Sequence, residues 1–446
     1  MRQVVAAVTV LLLAVGSLSA ATFEPVSDAQ LVERAELVVK AHVAGSESRV
    51  RADGTIVTDY RLIVADSLKG AAPRELVVTE LGGSVDGRMM IIPGSARYDA
   101  GAEVVAVLKQ RADGTWFTSH MGLGSFRIRN RLATRDRSGI DVDDEHAFAP
   151  RDAAAFVEFI RSGGRGASAI RSDARLPRIE TNGNAADYVL QGDPPGSAPA
   201  RPLRWPGCES NCIVGFFFNG SQPGVDHIAA MEAAAAVWTN DPNSFVNIGI
   251  GSSTATNGVA FDGENVILLN SNANDFGICQ DALGCGIVWA TSSTHNFDGS
   301  TFYNVEEADL IIRPTAAGQS FYTTLIAHEM GHGLALKHGP SGALMSASIP
   351  SSASLRSWDM EAMAEVYGNG VPCVPPTITG TSGGGSVNYG TTRQLSVTVS
   401  GSGPFTYNWF RGASGDISTP VGSNSANFTT PAVTETVNYW VRVTSN

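Results

Sequence analysis

Apolar positions along this chain change pattern four times, and each pattern predicts a different kind of structure. The first is a nearly unbroken apolar run over residues 4–18, centred on Leu11, Leu12 and Leu13. The second, over residues 22–150, consists of short bursts in which apolar and polar residues alternate. A period of two predicts strands, and 38–43, 58–64, 75–79 and 103–108 are the candidates. Gly82-Gly83, Pro93-Gly94 and Gly101 mark turns between the later ones. A short helix is expected over 31–38, containing Ala35 and Glu36. Together these predict a small, mostly-β N-terminal domain, either a barrel or a sandwich.

The third pattern, over 201–370, mixes the two periods. Strands are expected at 212–218, 265–270, 286–290 and 308–312. Helices are expected at 226–239, where alanine stands at 229, 230 and 233–236, at 320–336 and at 357–367. That mixture predicts an α+β domain. The fourth pattern, over 374–446, is rich in Gly, Ser, Thr and Val, with alternating strands at 394–399, 405–409 and 439–444. Trp409, Tyr439 and Trp440 supply core material for a β-sandwich. Between the second and third patterns, 161–200 reads as a flexible linker. It opens on Ser162-Gly163-Gly164 and closes on Asp193-Pro194-Pro195-Gly196.

Composition sharpens this picture. A chain of 446 residues, 43% of them apolar, is long enough for two or three cores. The net charge of -12 disfavours nucleic acid as a partner, because no basic patch is present to neutralise phosphates. Arg2, the apolar run and the small residues Ser19, Ala20 and Ala21 form a signal-peptide pattern over 1–21, with cleavage after any of those three. A secreted, extracellular or cell-surface destination follows, with no transmembrane segment in the mature chain. Five cysteines remain: Cys208, Cys212, Cys279, Cys285 and Cys373. Their spacing suggests Cys208–Cys212 and Cys279–Cys285 pairs and one left over, although spacing alone does not fix connectivity.

The candidate chemistry is concentrated in one stretch, His328-Glu-Met-Gly-His-Gly-Leu-Ala-Leu-Lys-His338, which holds three of the eight histidines. Residues four apart share a helical face, so His328 and His332 can ligate one metal. A helix continued to His338 would turn that side chain elsewhere. The third histidine therefore joins only if the helix ends before it. Three imidazoles leave zinc a fourth position for water. Glu329 is placed to act as general base on that metal-activated water, with peptide hydrolysis as the outcome. His42 and His120 are isolated and read as structural.

The stretch resembles the extended zinc motif of the metzincin peptidases, H-E-x-x-H-x-x-G-x-x-H. The resemblance implies metal ligands His328, His332 and His338, catalytic Glu329, and a methionine turn at Met345 that floors the site without ligating. The flanks 308–312 and 358–368 are most similar to matrixins (M10-like). They imply a twisted mixed sheet with an active-site helix over roughly 201–370. Two positions depart from the pattern. Ala335 stands where the motif has glycine, and Ser346 where matrixins usually have tyrosine. The resemblance also implies a structural Ca2+, for which no ligands are assigned. The matrixin cysteine-switch sequence is absent, and Cys208 is expected in a disulfide with Cys212.

Residues 22–150 are then a candidate prodomain, with a folding or adhesion module as the alternative. Residues 374–446 resemble bacterial immunoglobulin-like repeats on secreted proteins, which implies a bacterial source. Their role is that of a spacer or of an adhesion module contacting a cell surface or glycan. The expectation is a secreted zinc metalloendopeptidase acting on protein or peptide. The alternatives are an adhesion or binding protein with an accessory zinc domain, and a narrow-specificity processing protease.

Overall fold

The computed structural model describes residues 26–135, 148–166, 170, 185–192, 199–209, 212–269, 282–368, 376–401 and 405–445. The signal-peptide pattern, most of the 161–200 linker, Cys279 and Cys373 lie outside them. The architecture is multidomain, mixed α+β and rich in sheet. No helix among the described residues is long and apolar enough to cross a membrane.

The N-terminal region begins with helix α1 (Asp28–Arg34), earlier than the helix expected over 31–38. Ser27 and Gln30 form a capping box that starts it, and Ala35 is already extended. From Leu37 the side chains alternate, which makes strand rather than helix. Strands β1 (Leu37–Val50), β2 (Ile56–Lys69), β3 (Glu75–Leu81), β4 (Gly83–Val85) and β5 (Arg88–Ile91) follow in order. Next come β6 (Glu103–Gln110), β7 (Trp116–Thr118), β8 (Ser125–Arg129), β9 (Leu132–Arg135) and β10 (Arg151–Asp152). The path β1-β2-β3-β7-β6 closes on itself because β6 also pairs β1, so this sheet is a barrel.

Leu37, Val39, Ala41 and Val43 point into the barrel with Leu62, Val78, Val104 and Ala106. Val38, Val105 and Val107 point outward, under Leu31 of α1 and under Phe156, Phe159 and Ile160 of helix α2 (Ala153–Arg161). Asp28, with both Arg135 and Arg151 paired to its carboxylate, is buried at that junction.

Strands β4 and β5 are not part of the barrel. Gly82 (φ 98°) and Gly83 (φ 137°) turn the chain out of it, and a Cβ on Gly83 would lie 2.3 Å from the Thr58 hydroxyl. Both strands join a second sheet, built mostly from later sequence. Its other members are β11 (Gln191–Gly192), β12 (Arg201–Arg204), β13 (Cys212–Asn219), β14 (Val246–Ser253), β15 (Val266–Leu268), β16 (Gly284–Phe297) and β17 (Ser300–Ile312). The main order is β14-β13-β15-β17-β16-β5-β4. Pairings from β14 to β17 are parallel, and β16 is antiparallel to both β17 and β5.

Helices α3 (His227–Thr239), α4 (Tyr322–Gly333) and α5 (Ser357–Tyr367) pack against Phe216, Ile267, Leu310 and Ile312 of this sheet. Asp226 caps α3, and His227, Met231, Ala234, Ala235 and Trp238 form its buried face. Val266, Leu268, Ile287, Trp289 and Ile311 instead share a core with Ile56, Val57, Met121 and Phe148 of the N-terminal region. The linker is not structureless throughout. Tyr188, Val189 and Leu190 are buried, and the Leu203 amide donates to the Leu190 carbonyl. Two three-stranded sheets, β18 (Thr377–Ser382), β19 (Gln394–Ser400) and β22 (Asn427–Thr429), and β20 (Phe405–Arg411), β21 (Pro420–Ser423) and β23 (Tyr439–Ser445), form the last unit. Its aromatic contacts include Phe410 on Trp440, with ring centres 4.8 Å apart.

Candidate metal centre

Helix α4 is buried nearly all round, from Tyr322 to Gly333. It lies so close to β16 that side chains are excluded there. A Cβ on Gly284 would lie 2.8 Å from a Glu329 oxygen, and one on Gly286 would lie 2.6 Å from the His332 Cβ. On the other side a Cβ on Gly331 would lie 2.2 Å from the Met345 sulfur. Three glycines therefore set the depth of the helix, a role that the sequence alone does not signal. They sit inside patterns that read simply as strand and helix.

The helix ends where the third histidine requires. The Leu334 amide closes the last turn, and Ala335 then adopts a left-handed backbone, φ 63°, although it is alanine and fully buried. Its amide donates to the His332 carbonyl (2.8 Å), and the Leu336 amide to the Gly331 carbonyl (3.0 Å). A strap from the linker holds the turn from outside. The Leu190 amide donates to the Ala335 carbonyl (2.8 Å), and the Lys337 amide donates to the Tyr188 carbonyl (3.0 Å). These bonds offset a left-handed alanine, which costs roughly 1–2 kcal/mol.

With the helix ended, His338 swings back over it. The His332 Nε2 lies 3.1 Å from the His328 Nε2 and 3.2 Å from the His338 Nε2. One nitrogen from each ring falls within 4.8 Å of the others, and all three side chains are buried. The opposite nitrogens of two rings face carbonyls, His328 Nδ1 that of Leu344 (2.7 Å) and His332 Nδ1 that of Leu336 (2.8 Å). A carbonyl only accepts, so each Nδ1 carries the proton and each Nε2 lone pair points at the shared centre. Burial, together with the nearby His338, holds His328 down to about 3 and His332 well below the usual imidazole range. Neutral imidazoles are the form that binds metal.

Glu329 is fully buried, and neither carboxyl oxygen has a hydrogen-bond partner. Burial pushes its pKa well above the usual carboxylate range, with the Gly286 amide the one group opposing. An orphaned buried carboxyl beside three converging imidazole lone pairs is what a hydrated metal ion would satisfy. The residues therefore fit a metal. Among the described residues no other group of three or more His, Cys, Asp and Glu side chains is close enough to hold one.

Beneath the centre, the turn carrying Met345 is fixed from α5. The Asp359 carboxylate accepts from the amides of Leu344 (2.7 Å), Met345 (3.0 Å) and Arg356 (2.8 Å). The Cys208–Cys212 disulfide is formed, so Cys208 is not a free thiol. Cys285 is also disulfide-bonded, and its expected partner, Cys279, lies outside the described residues. His42 and His120 lie in the N-terminal barrel and its 3-10 turn, away from the cluster. The chain matches no protein-family model and no curated protein.

Proposed function

We propose that this chain is a secreted zinc-dependent endopeptidase of the metzincin type, most similar to matrixins. The observation that carries the reading is the convergence of three Nε2 atoms, from His328, His332 and His338, beside the unpartnered Glu329 carboxyl. Three neutral imidazoles suit zinc among the divalent metals, and copper, nickel and iron(II) are the ions to exclude by assay. Zinc bound there supplies a Lewis acid for the scissile carbonyl and acidifies a water.

The chain's own residues do the rest. The Leu344 and Leu336 carbonyls orient the rings and hold them in one tautomer. Glu329 takes a proton at one carboxyl oxygen and returns it to the leaving amine. Gly284 and Gly286 bring the backbone of β16 against Glu329 and His332.

Support for the family also comes from Met345 beneath α4 and from the left-handed break at residue 335. A peptide-library digest with added zinc tests the proposal. Cleavage is expected from the active chain and none from Glu329→Ala, and equal cleavage by both would overturn it.

A further inference from the structure

The two sheets of the last unit meet through aromatic rings. Trp409 of β20 and Tyr439 of β23 both reach Phe428 of β22, in the opposite sheet, with ring centres 5.6 and 5.3 Å apart. Side chains alternate along a strand, so the next residues, Phe410 and Trp440, point away from that core. An outward face of this kind is ordinarily polar. Here Phe410 and Trp440, opposite each other in register, stack with ring centres 4.8 Å apart and planes 21° apart, and Phe410 is only 8% exposed. Pro420 of β21 stands opposite Phe410 on its other side. An apolar row therefore crosses the sheet on the side away from the core.

The rows beside it are polar. Asn408 stands opposite Arg442, and Thr406 opposite Thr444. At about 7 Å per two residues, the three rows span roughly 14 Å along the strands. The Trp440 indole is held in place by its N–H, which donates to the Asp416 carbonyl (3.1 Å). Arg442 is exposed, and its guanidinium lies 6.0 Å from the Trp440 ring centre. Among the described residues no carboxylate pairs with Arg442. Arg411, by contrast, is paired with Glu435, and the Asp416 carboxylate accepts from the Ser418 amide. Residues 374–446 hold three arginines, no lysine and two acidic residues, a net +1 in a chain of net -12.

An aromatic plane with hydrogen-bonding groups along one side suits a sugar. The C–H face of a pyranose ring stacks on an indole, and its hydroxyls bond an amide such as that of Asn408. A planar guanidinium beside them pairs with a carboxylate. A neutral sugar leaves the guanidinium unused, and an acidic peptide leaves the aromatic row unused. We propose that the outward face of β20 and β23 binds an anionic polysaccharide, with Trp440 as the stacking platform, Asn408 bonding hydroxyls and Arg442 taking a uronate carboxylate. The site is separate from the metal centre and does not rest on the peptidase reading.

The test measures the anisotropy of a fluorescein-labelled galacturonate trimer titrated with the full chain. Saturable binding is expected, weakened about tenfold or more by Arg442→Gln, which removes a charge-assisted hydrogen bond. Trp440→Ala should abolish it. Arg411→Gln removes the same charge from elsewhere on the sheet and should bind as the parent does. The net charge of -12 repels the probe from the chain as a whole, so binding reports a local site.

No binding by the parent, or equal binding by the parent and Arg442→Gln, would overturn the inference. Equal binding of a labelled maltotriose would remove the need for charge and overturn the anionic assignment. Equal binding of a labelled glutamate trimer would assign the face to acidic peptides and overturn the sugar. If Trp440→Ala fails to fold, the exposed Arg442→Gln decides together with Asn408→Asp, which sets a carboxylate beside the site and should abolish binding.

Discussion

Ala335 and Leu190 are joined backbone to backbone, the Leu190 amide donating to the Ala335 carbonyl at 2.8 Å while Ala335 holds φ 63°. A segment of the linker thereby stabilises the break that brings His338 to His328 and His332.

From this geometry, Ala335→Gly should change stability by no more than about 1 kcal/mol. Relief of left-handed strain, roughly 1–2 kcal/mol, is offset by a lost buried methyl and by greater unfolded-state freedom. Ala335→Val, branched at Cβ in the same conformation, should cost more than about 2 kcal/mol and lower zinc occupancy. Urea melts of both variants check this. A loss above 2 kcal/mol in Ala335→Gly would mean that strain is not the controlling quantity.

Asp359 gives a second expectation. Its carboxylate bonds three backbone amides, of which the two in the turn that carries Met345 are buried. Asp359→Ala strands those donors, at about 1–3 kcal/mol each if unrelieved. It should destabilise the chain by roughly 3 kcal/mol or more and speed zinc loss to a chelator. Asp359→Asn, which keeps one acceptor oxygen, should fall between the two. Metal-release kinetics separate this positioning role from simple destabilisation, because zinc loss should quicken even where the fold remains intact.

A third concerns pH. Glu307 is fully buried, one of its oxygens accepts from the Gly263 amide, and the other has no partner. Burial, assisted by nearby Asp262 and Glu264, raises its pKa to about 7, while Glu307 in turn helps push Asp309 upward. A carboxyl with a folded pKa above its unfolded value binds extra protons in the native state between the two. Stability should therefore fall as pH rises from about 4.5 to about 7. Glu307→Gln should be more stable than the parent above pH 7, by on the order of 2 kcal/mol, and lose that advantage near pH 4.5. Thermal melts across this range measure it, and an advantage that grows toward low pH would reverse the sign.

Much of the site was legible in the sequence because its determinants are local. The spacing of His328 and His332 needs only a helix, and α4 supplies it. The need for a break before His338 follows from 3.6 residues per turn, and Ala335 makes the break at the position expected for glycine. Helix α3 was legible from Asp226 and the alanines after it, and α5 spans the expected residues.

What escaped depends on contacts between distant residues. Gly82-Gly83 read as a turn between strands of one domain, yet it sends β4 and β5 into another sheet. Nothing local distinguishes the strand pairs a turn will join. Gly284, Gly286 and Gly331 look unremarkable until a helix lies against them. The helix lies at Asp28–Arg34 and not at 31–38 because alternation from Leu37 overrides helix preference, while the Ser27 capping box starts the helix sooner.

The most direct test of the central claim is zinc per chain, measured by elemental mass spectrometry on the parent, Glu329→Ala and His332→Ala proteins after dialysis against trace zinc. About one zinc is expected in the parent and in Glu329→Ala, and a loss of most of it in His332→Ala, because the proposed function makes Glu329 a proton acceptor and His332, whose Nε2 lies 3.1 and 3.2 Å from the other two, a ligand. Full zinc in His332→Ala, or none in the parent, would contradict it.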